Sequence, residues 1–240
     1  MRILVTGGAG FVGSHTAEFY AKQGHEVIVF DNLSRAELLG KEAKNTTYNW
    51  DYLKKYKNIK LIKGDVRNFE ELKKIAADNV DAIIHTAGQT AVTTSVVDPA
   101  PDFSVNVIGT FNVLECARQA KKKPKIVYCS TNKVYGDNVN IINLKEIEKR
   151  YEFKDSKYLN GLPENFSIDH TKHTPYGCSK LSADLYMQDY ARLYDLNIGV
   201  FRMSCIYGTR QFGFEDQGWI AWFSIAAITE KPITIFGDGK

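Results

Sequence analysis

The stretch Thr6-Gly7-Gly8-Ala9-Gly10-Phe11-Val12-Gly13 constrains this chain more than any other. It follows the aliphatic run Arg2–Thr6 and opens a helical pattern that starts around Phe11 and stops near Gly24, a natural left-handed helix end. Gly8, Gly10 and Gly13 satisfy G-x-G-x-x-G between a strand and a helix, the context in which that spacing carries weight. In this reading Gly8 permits the tight turn, Gly10 lets the backbone approach a pyrophosphate, and Gly13 lets the helix lie close to the strand. Gly7, Phe11 and Val12 complete the loop, and the free N–H groups of the helix start face the anion. Asp31 closes the next strand at the offset where a carboxylate meets a ribose hydroxyl pair. Together these features predict a dinucleotide-binding Rossmann-type domain beginning at the first residue. Asp31 would repel a 2′-phosphate, which favours NAD over NADP, while Arg35 nearby keeps NADP open as an alternative.

Short β-branched runs continue to alternate with helical patterns, which predicts an α/β fold with a doubly wound parallel sheet. Strands are expected near Arg2–Thr6, Glu26–Asp31, Ile59–Lys63, Ala82–Thr86, Lys125–Ser130 and Asn197–Arg202. A helix capped by Asn68, with Glu71 three residues on, should run towards Asp78; longer ones should cover Val105–Ala120 and Tyr176–Tyr194. Ala36–Lys57 and Asp137–Thr174 break the alternation as elaborated connections after strand ends, where ligands bind in open α/β sheets.

Composition excludes several classes. A net charge of +3 over 240 residues demands neither nucleic acid nor an anionic membrane, and the basic run Lys121–Lys125 reads as a solvated turn. Cys116, Cys129, Cys178 and Cys205 form no CxxC pair, and five scattered histidines offer no metal-ligand spacing. The longest apolar stretch, Trp219–Ile228, is too short to span a bilayer, and no signal-peptide core precedes the first glycine. A cytoplasmic, metal-free protein with reduced thiols is expected.

Tyr176-Gly177-Cys178-Ser179-Lys180 places a phenol and an ammonium on one face of a helix start. A nearby cation favours phenolate, so the Tyr176 pKa is expected to fall towards the range of a working general base. Thr131 leaves the end of a central strand in Cys129-Ser130-Thr131-Asn132-Lys133-Val134-Tyr135-Gly136, where its hydroxyl could meet a substrate oxygen whose proton Tyr176 removes. Tyr176, Lys180 and Thr131 are the candidate catalytic residues.

These motifs resemble the extended short-chain dehydrogenase/reductase superfamily of nucleotide-sugar epimerases and dehydratases, over the whole chain. The resemblance implies cofactor contacts from Asn32 and Arg35, from Asp65 or Val66 in Gly64-Asp65-Val66-Arg67, and from Ala87 and Gln89 in His85-Thr86-Ala87-Gly88-Gln89. It also implies Asn106 of the N-x-x-G-T helix, Ser130, Tyr176, Lys180, and Ser204 near the nicotinamide. Sugar-facing residues by the same resemblance are Thr131, Asn132, Lys133, Arg210, Gln211, Gln217 and Trp219, with Arg210 suited to a diphosphate. Dehydratases of the superfamily carry Asp and Glu after the strand-end Thr; Asn132 and Lys133 stand here, which disfavours elimination of water. The Asp216–Trp219 stretch is similar to the branch of the superfamily that works on CDP-linked sugars.

The resemblance therefore implies an NAD-dependent epimerase that oxidises a nucleotide sugar, a CDP-sugar favoured, at C2 and re-reduces the 2-keto sugar on its other face. A 4-epimerase on the same scaffold stays open, as does a cofactor-binding module without turnover. Residues 1–203 would form the NAD domain, and 204–240 the start of a sugar-binding region cut short of the family's length. A homodimer through the helices Val105–Ala120 and Tyr176–Tyr194, or a higher homo-oligomer, is a further expectation by resemblance.

Overall fold

The computed structural model describes residues 1–35, 47–76, 79–215 and 217–235. Six parallel strands form the sheet: β1 Arg2–Thr6, β2 Glu26–Asp31, β3 Ile59–Lys63, β4 Ala82–His85, β5 Lys125–Thr131 and β8 Ile198–Met203. Their spatial order is β3-β2-β1-β4-β5-β8, so the chain reverses its winding between β1 and β4. Ligand crevices in open α/β sheets form at such a switch point, beyond the carboxyl ends of the strands.

The central strands read as continuous apolar runs because both faces of the sheet are covered. Alternation along β1 sends Leu4 into a core with Ile28, Phe30, Ile83, Leu114, Tyr128 and Met187. Ile3 and Val5 go into the opposite core with Val27, Val29, Ala17 and Leu53. Helix α1 (Phe11–Lys22) covers the second face together with α2 (Tyr48–Leu53). On the first face lie α3 (Phe69–Ala76), α6 (Gly109–Gln119) and α7 (Pro175–Leu193).

Every expected strand is present, with ends one residue away at three of them: β4 stops at His85, β5 reaches Thr131, and β8 is displaced to Ile198–Met203. Thr86, just past β4, still donates its N–H to the Thr6 carbonyl at 3.0 Å, and its hydroxyl donates to the carbonyls of Thr6 (2.7 Å) and Gly7 (3.1 Å). Asn68 caps α3, accepting from the Glu71 N–H at 3.3 Å; Asp78 lies outside the described residues. The expected helix Val105–Ala120 is part of a longer run. It comprises α4 (Val92–Val97), α5 (Pro99–Phe103), a π-helical turn Ser104–Ile108 and α6. That π turn puts the Asn106 side chain in the interior, a placement π-bulges frequently serve at functional sites.

Of the connection Ala36–Lys57, residues 36–46 lie outside the described residues, and the remainder holds α2. Asp137–Thr174 contains an antiparallel hairpin that the sequence pattern did not announce, β6 (Leu144–Ile147) with β7 (Arg150–Phe153). The turn Asn132–Ile141 before it kinks at Gly136, whose φ of +58° suits glycine. Past β8 the chain crosses Cys205–Gln217 into α8 (Trp219–Ile228). This helix is apolar all round and leaves Ile228 83 % exposed. Among the described residues no helix is long and apolar enough to cross a membrane.

Candidate active site

The loop after β1 turns at Gly7, not at Gly8. Gly7 holds the left-handed φ of +68°, and a Cβ there would lie 2.5 Å from the Ala87 nitrogen. Gly8 has another duty: its hydrogen side faces Val29, whose Cγ1 a Cβ would approach to 2.8 Å. Gly13 behaves as expected, since a Cβ would sit 2.3 Å from the Gly7 carbonyl and 2.7 Å from Thr86 Oγ1. Gly10 begins α1 with no side-chain cap, and the first turn carries no acidic residue, so its N–H groups are left to an anion.

Asp31 is fixed beside this loop. Its carboxylate accepts from the Ala9 N–H at 2.9 Å and the Leu33 N–H at 2.8 Å. Burial pushes its pKa up, against those two backbone bonds. One cavity of about 800 Å³ runs from here along the carboxyl edge of the sheet. Gly7, Gly10, Phe11, Val12, Asp31, Asn32, Arg35 and Val66 line one end; Ala87, Gln89, Thr131, Asn132, Lys133, Tyr176 and Ser204 line the other. Gln211, Gln217 and Trp219 border it from the C-terminal segment. The uncapped helix start, the glycines that leave no room for a Cβ, and a ribose-side carboxylate fit a dinucleotide laid across the switch point.

Five residues expected at the site stand behind the wall or away from it. Asp65 faces Arg67 and Asn32, and the Arg67 guanidinium at 2.6 Å brings its pKa to about 2; its neighbours Val66 and Arg67 line the cavity instead. Asn106 braces Gln89, its Oδ1 accepting from the Gln89 N–H at 2.9 Å. Ser130 donates to Asp184 at 2.6 Å. Lys180 is buried and donates to the Cys129 carbonyl at 2.6 Å.

Arg210 departs furthest from its expectation. Its guanidinium pairs with Glu18 on α1 at 2.7 Å and lies 4.0 Å from the Tyr52 ring centroid, with the side chain only 9 % exposed. Glu18, ringed by Tyr52, Tyr56 and Lys22 as well, offers a fixed carboxylate that no spacing in the sequence announced.

The expected fall in the Tyr176 pKa is also corrected. Burial pushes the phenol up, a hydrogen bond with Thr131 pulls it down, and Asp102 pushes it up again, with a net rise. Lys180 is itself pushed down to about 8 by burial, against Cys129, Asp184 and Asp102. Sequence spacing places the ammonium near the phenol; the desolvation of both groups is a property of the packed helix.

Two further groups were not anticipated. Arg35 reaches the Phe212 carbonyl at 3.0 Å and Gln217 Oε1 at 3.3 Å, and Gln217 bonds Thr90. The segment after β8 is thereby tied over the cofactor end of the cavity. Arg202 forms a two-pronged pair with Asp184, both bonds 3.0 Å, behind the strand end. The four-residue stretch Asp216–Trp219 is described except for Asp216, which lies outside the described residues.

Fold and site define an α/β dinucleotide-binding domain with a buried tyrosine and lysine at the edge of its sheet. The sequence model of the NAD dependent epimerase/dehydratase family matches residues 3–240. The chain belongs to this family of enzymes, and NAD is its cofactor. It is 45 % identical to the CDP-paratose 2-epimerase of Salmonella typhi, over 100 % of this chain and 69 % of the relative. Among solved structures it resembles the UDP-glucose 4-epimerase of Thermotoga maritima bound to UDP-glucose: TM-score 0.74, 31 % identity, 100 % of this chain and 67 % of that one. The UDP-glucose 4-epimerase of Thermus thermophilus in complex with NAD gives 0.73 and 30 %, covering 97 % and 64 %. The chain thus spans about two thirds of the length of these relatives.

Proposed function

We propose that the chain is an NAD-dependent epimerase of a nucleotide-linked sugar, with a CDP-sugar as substrate and C2 as the reacting carbon. The observation that carries this reading is the shared wall: Thr131 and Tyr176 line the same cavity as the glycine loop and Asp31. The choice of CDP and C2 is supported by the 45 % identity to a CDP-paratose 2-epimerase, with Arg210-Gln211-Phe212 and Gln217-Gly218-Trp219 in the segment beside the cavity. Residues 204–240 are read as the beginning of the sugar-facing part.

In this mechanism Tyr176 takes the proton of the sugar hydroxyl, and Thr131 holds both the phenol and the sugar oxygen. Bound NAD would supply the hydride acceptor and donor that the chain lacks, and its positive ring would favour the phenolate against burial. Lys180, charged below about pH 8, adds to that preference from behind. Tyr176 then returns the proton after the keto sugar has presented its other face. Asn132 and Lys133 lack the carboxyl pair that eliminating water would need. A second copy of the chain is read as packing on α6 and α7, where Phe111 and Tyr186 form an exposed aromatic pair 6.1 Å apart.

Purified protein incubated with CDP-sugars deuterated at C2 or at C4 tests the reading. An isotope effect and inversion confined to C2 are expected. Inversion at C4 would give the 4-epimerase instead, and bound NAD without conversion of any nucleotide sugar would reduce the chain to a cofactor-binding module.

A further inference from the structure

The Lys180 ammonium is buried, and among the described residues no carboxylate stands at hydrogen-bond distance from it. Its hydrogen bond goes to the Cys129 carbonyl at 2.6 Å, and the residue is 6 % exposed. What faces it instead is a ring. Lys180 Nζ lies over Tyr128 of β5, 4.4 Å from the ring centroid, and Tyr128 is itself fully buried. The electron-rich face of an aromatic attracts a cation, and the attraction grows when both are out of water. The ammonium also stands close behind the cavity: a Cβ on Gly88, which lines it, would lie 3.9 Å from Nζ.

The neighbours of Tyr128 leave its face to that cation. The Tyr128 hydroxyl has no hydrogen-bond partner among the described residues, so the ring, not the oxygen, makes its polar contact. The imidazole of His85 in β4 stacks against the ring, centroids 5.6 Å apart and planes 24° apart. That imidazole is held neutral. Thr110 gives its hydroxyl proton to the Asn106 carbonyl at 2.5 Å, so His85 Nε2 is the donor to Thr110 at 3.0 Å. Nδ1 then accepts from the Thr6 hydroxyl at 2.6 Å. An imidazolium in this place would repel the ammonium.

The other titratable groups around Lys180 come from three elements. Cys129 of β5 stays a thiol, pushed up by burial, and burial likewise keeps the Tyr128 phenol protonated. On α7, Asp184 is already paired with Arg202, and Tyr176 stands one helical turn before Lys180. Asp102 of α5 is pushed up by burial.

We infer that Tyr128 is a positioning residue of the proposed reaction: its ring face, in place of a carboxylate, holds Lys180 as an ammonium behind the cavity. The inference rests on the reading in which that charge supports the Tyr176 phenolate. A carboxylate partner would cancel the charge at short range. A ring carries no net charge, so it stabilises the ammonium while leaving its field to act on the phenol.

The test is the titration of Lys180 in NAD-loaded protein, read from the carbon-13 resonance of its Cε and assigned by its absence in Lys180→Arg. Tyr128→Phe keeps the ring and should leave the midpoint in place. A trifluorinated phenylalanine at position 128 keeps the shape but drains electron density from the face. It should lower the midpoint by about one pH unit, a tenfold weaker hold on the proton. An unmoved midpoint in the fluorinated protein overturns the inference. So does an equal fall in Tyr128→Phe, which would assign the effect to the hydroxyl. Should the fluorinated protein not fold, the unaltered one provides a second readout: the protons at the end of the Lys180 side chain should be shifted upfield by the ring current, and unshifted protons overturn the inference. Neither readout uses turnover. If Tyr176→Phe stayed an active epimerase, the base reading would fail while the response of Lys180 to the ring remained measurable.

Discussion

The ammonium of Lys180 donates to the carbonyl oxygen of Cys129 at 2.6 Å and sits 4.4 Å from the centroid of the Tyr128 ring. In the reading of Tyr176 as the base, a buried charge one helical turn away supports the phenolate, so its protonation state should be visible in the activity.

Burial brings that ammonium to about 8, and Tyr176 is pushed up by burial as well. As pH rises through about 8, Lys180 loses its charge, the phenolate loses its support, and turnover should decline. The limb should move to higher pH in Lys180→Arg, since a guanidinium stays charged. Lys180→Met should lower kcat across the whole range. A pH profile of kcat/KM checks all three proteins.

Arg35 fastens the segment after β8 over the cofactor end through Phe212 and Gln217. Arg35→Ala should release NAD about tenfold faster, since hydrogen bonds from a charged donor contribute about 1.5–3 kcal/mol. Exchange of labelled NAD from the loaded protein measures it. An unchanged off-rate would mean that the segment stays closed without this tie.

Among the glycines of the loop, position separates stability from binding. A methyl at Gly13 meets the Gly7 carbonyl and the Thr86 hydroxyl, both under 3 Å. Gly13→Ala should therefore cost about 1–3 kcal/mol of stability, the range for an overpacked site. A methyl at Gly10 meets only the Gly7 carbonyl, at 3.0 Å, and otherwise enters the space of the cavity. Gly10→Ala should keep most of the stability and lose NAD. Denaturant midpoints beside NAD titrations distinguish the two.

Behind β5 and β8, Arg202 balances an Asp184 carboxylate that is fully buried. Arg202→Met leaves that charge without its cation and should cost about 3–5 kcal/mol. Adding Asp184→Leu should recover part of the loss. Burial raises the Asp184 pKa, but Arg202, Ser130 and Gln188 bring it below the ordinary carboxylate value. The stability the pair contributes is thus present above the ordinary aspartate pKa and lost as pH falls through the depressed one. The wild type should show this acid slope and the double variant should not.

What the sequence disclosed divides along physical lines. Strands β1 and β2, helix α1 and Asp31 were legible because hydrophobic period, turn chemistry and ligand geometry act within some thirty residues. The turn falls at Gly7 instead of Gly8 because the pattern fixes spacing, while φ depends on how the chain packs, with Ala87 approaching Gly7 and Val29 approaching Gly8. Arg210 carries a charge that suits a diphosphate, but Glu18, 192 positions away, holds it at 2.7 Å. The rise of the Tyr176 pKa follows from burial, which no spacing reports. The hairpin β6–β7 consists of two largely exposed four-residue strands, half of their residues charged, too short for periodicity to stand out from the surrounding loop.

Turnover of a CDP-sugar by Tyr176→Phe, measured in protein that binds NAD as the wild type does, tests the central claim most directly. Loss of a proton transfer of this kind should lower kcat by roughly 10²–10⁴-fold with substrate affinity little changed. A variant that inverted the sugar at near wild-type rate would contradict it.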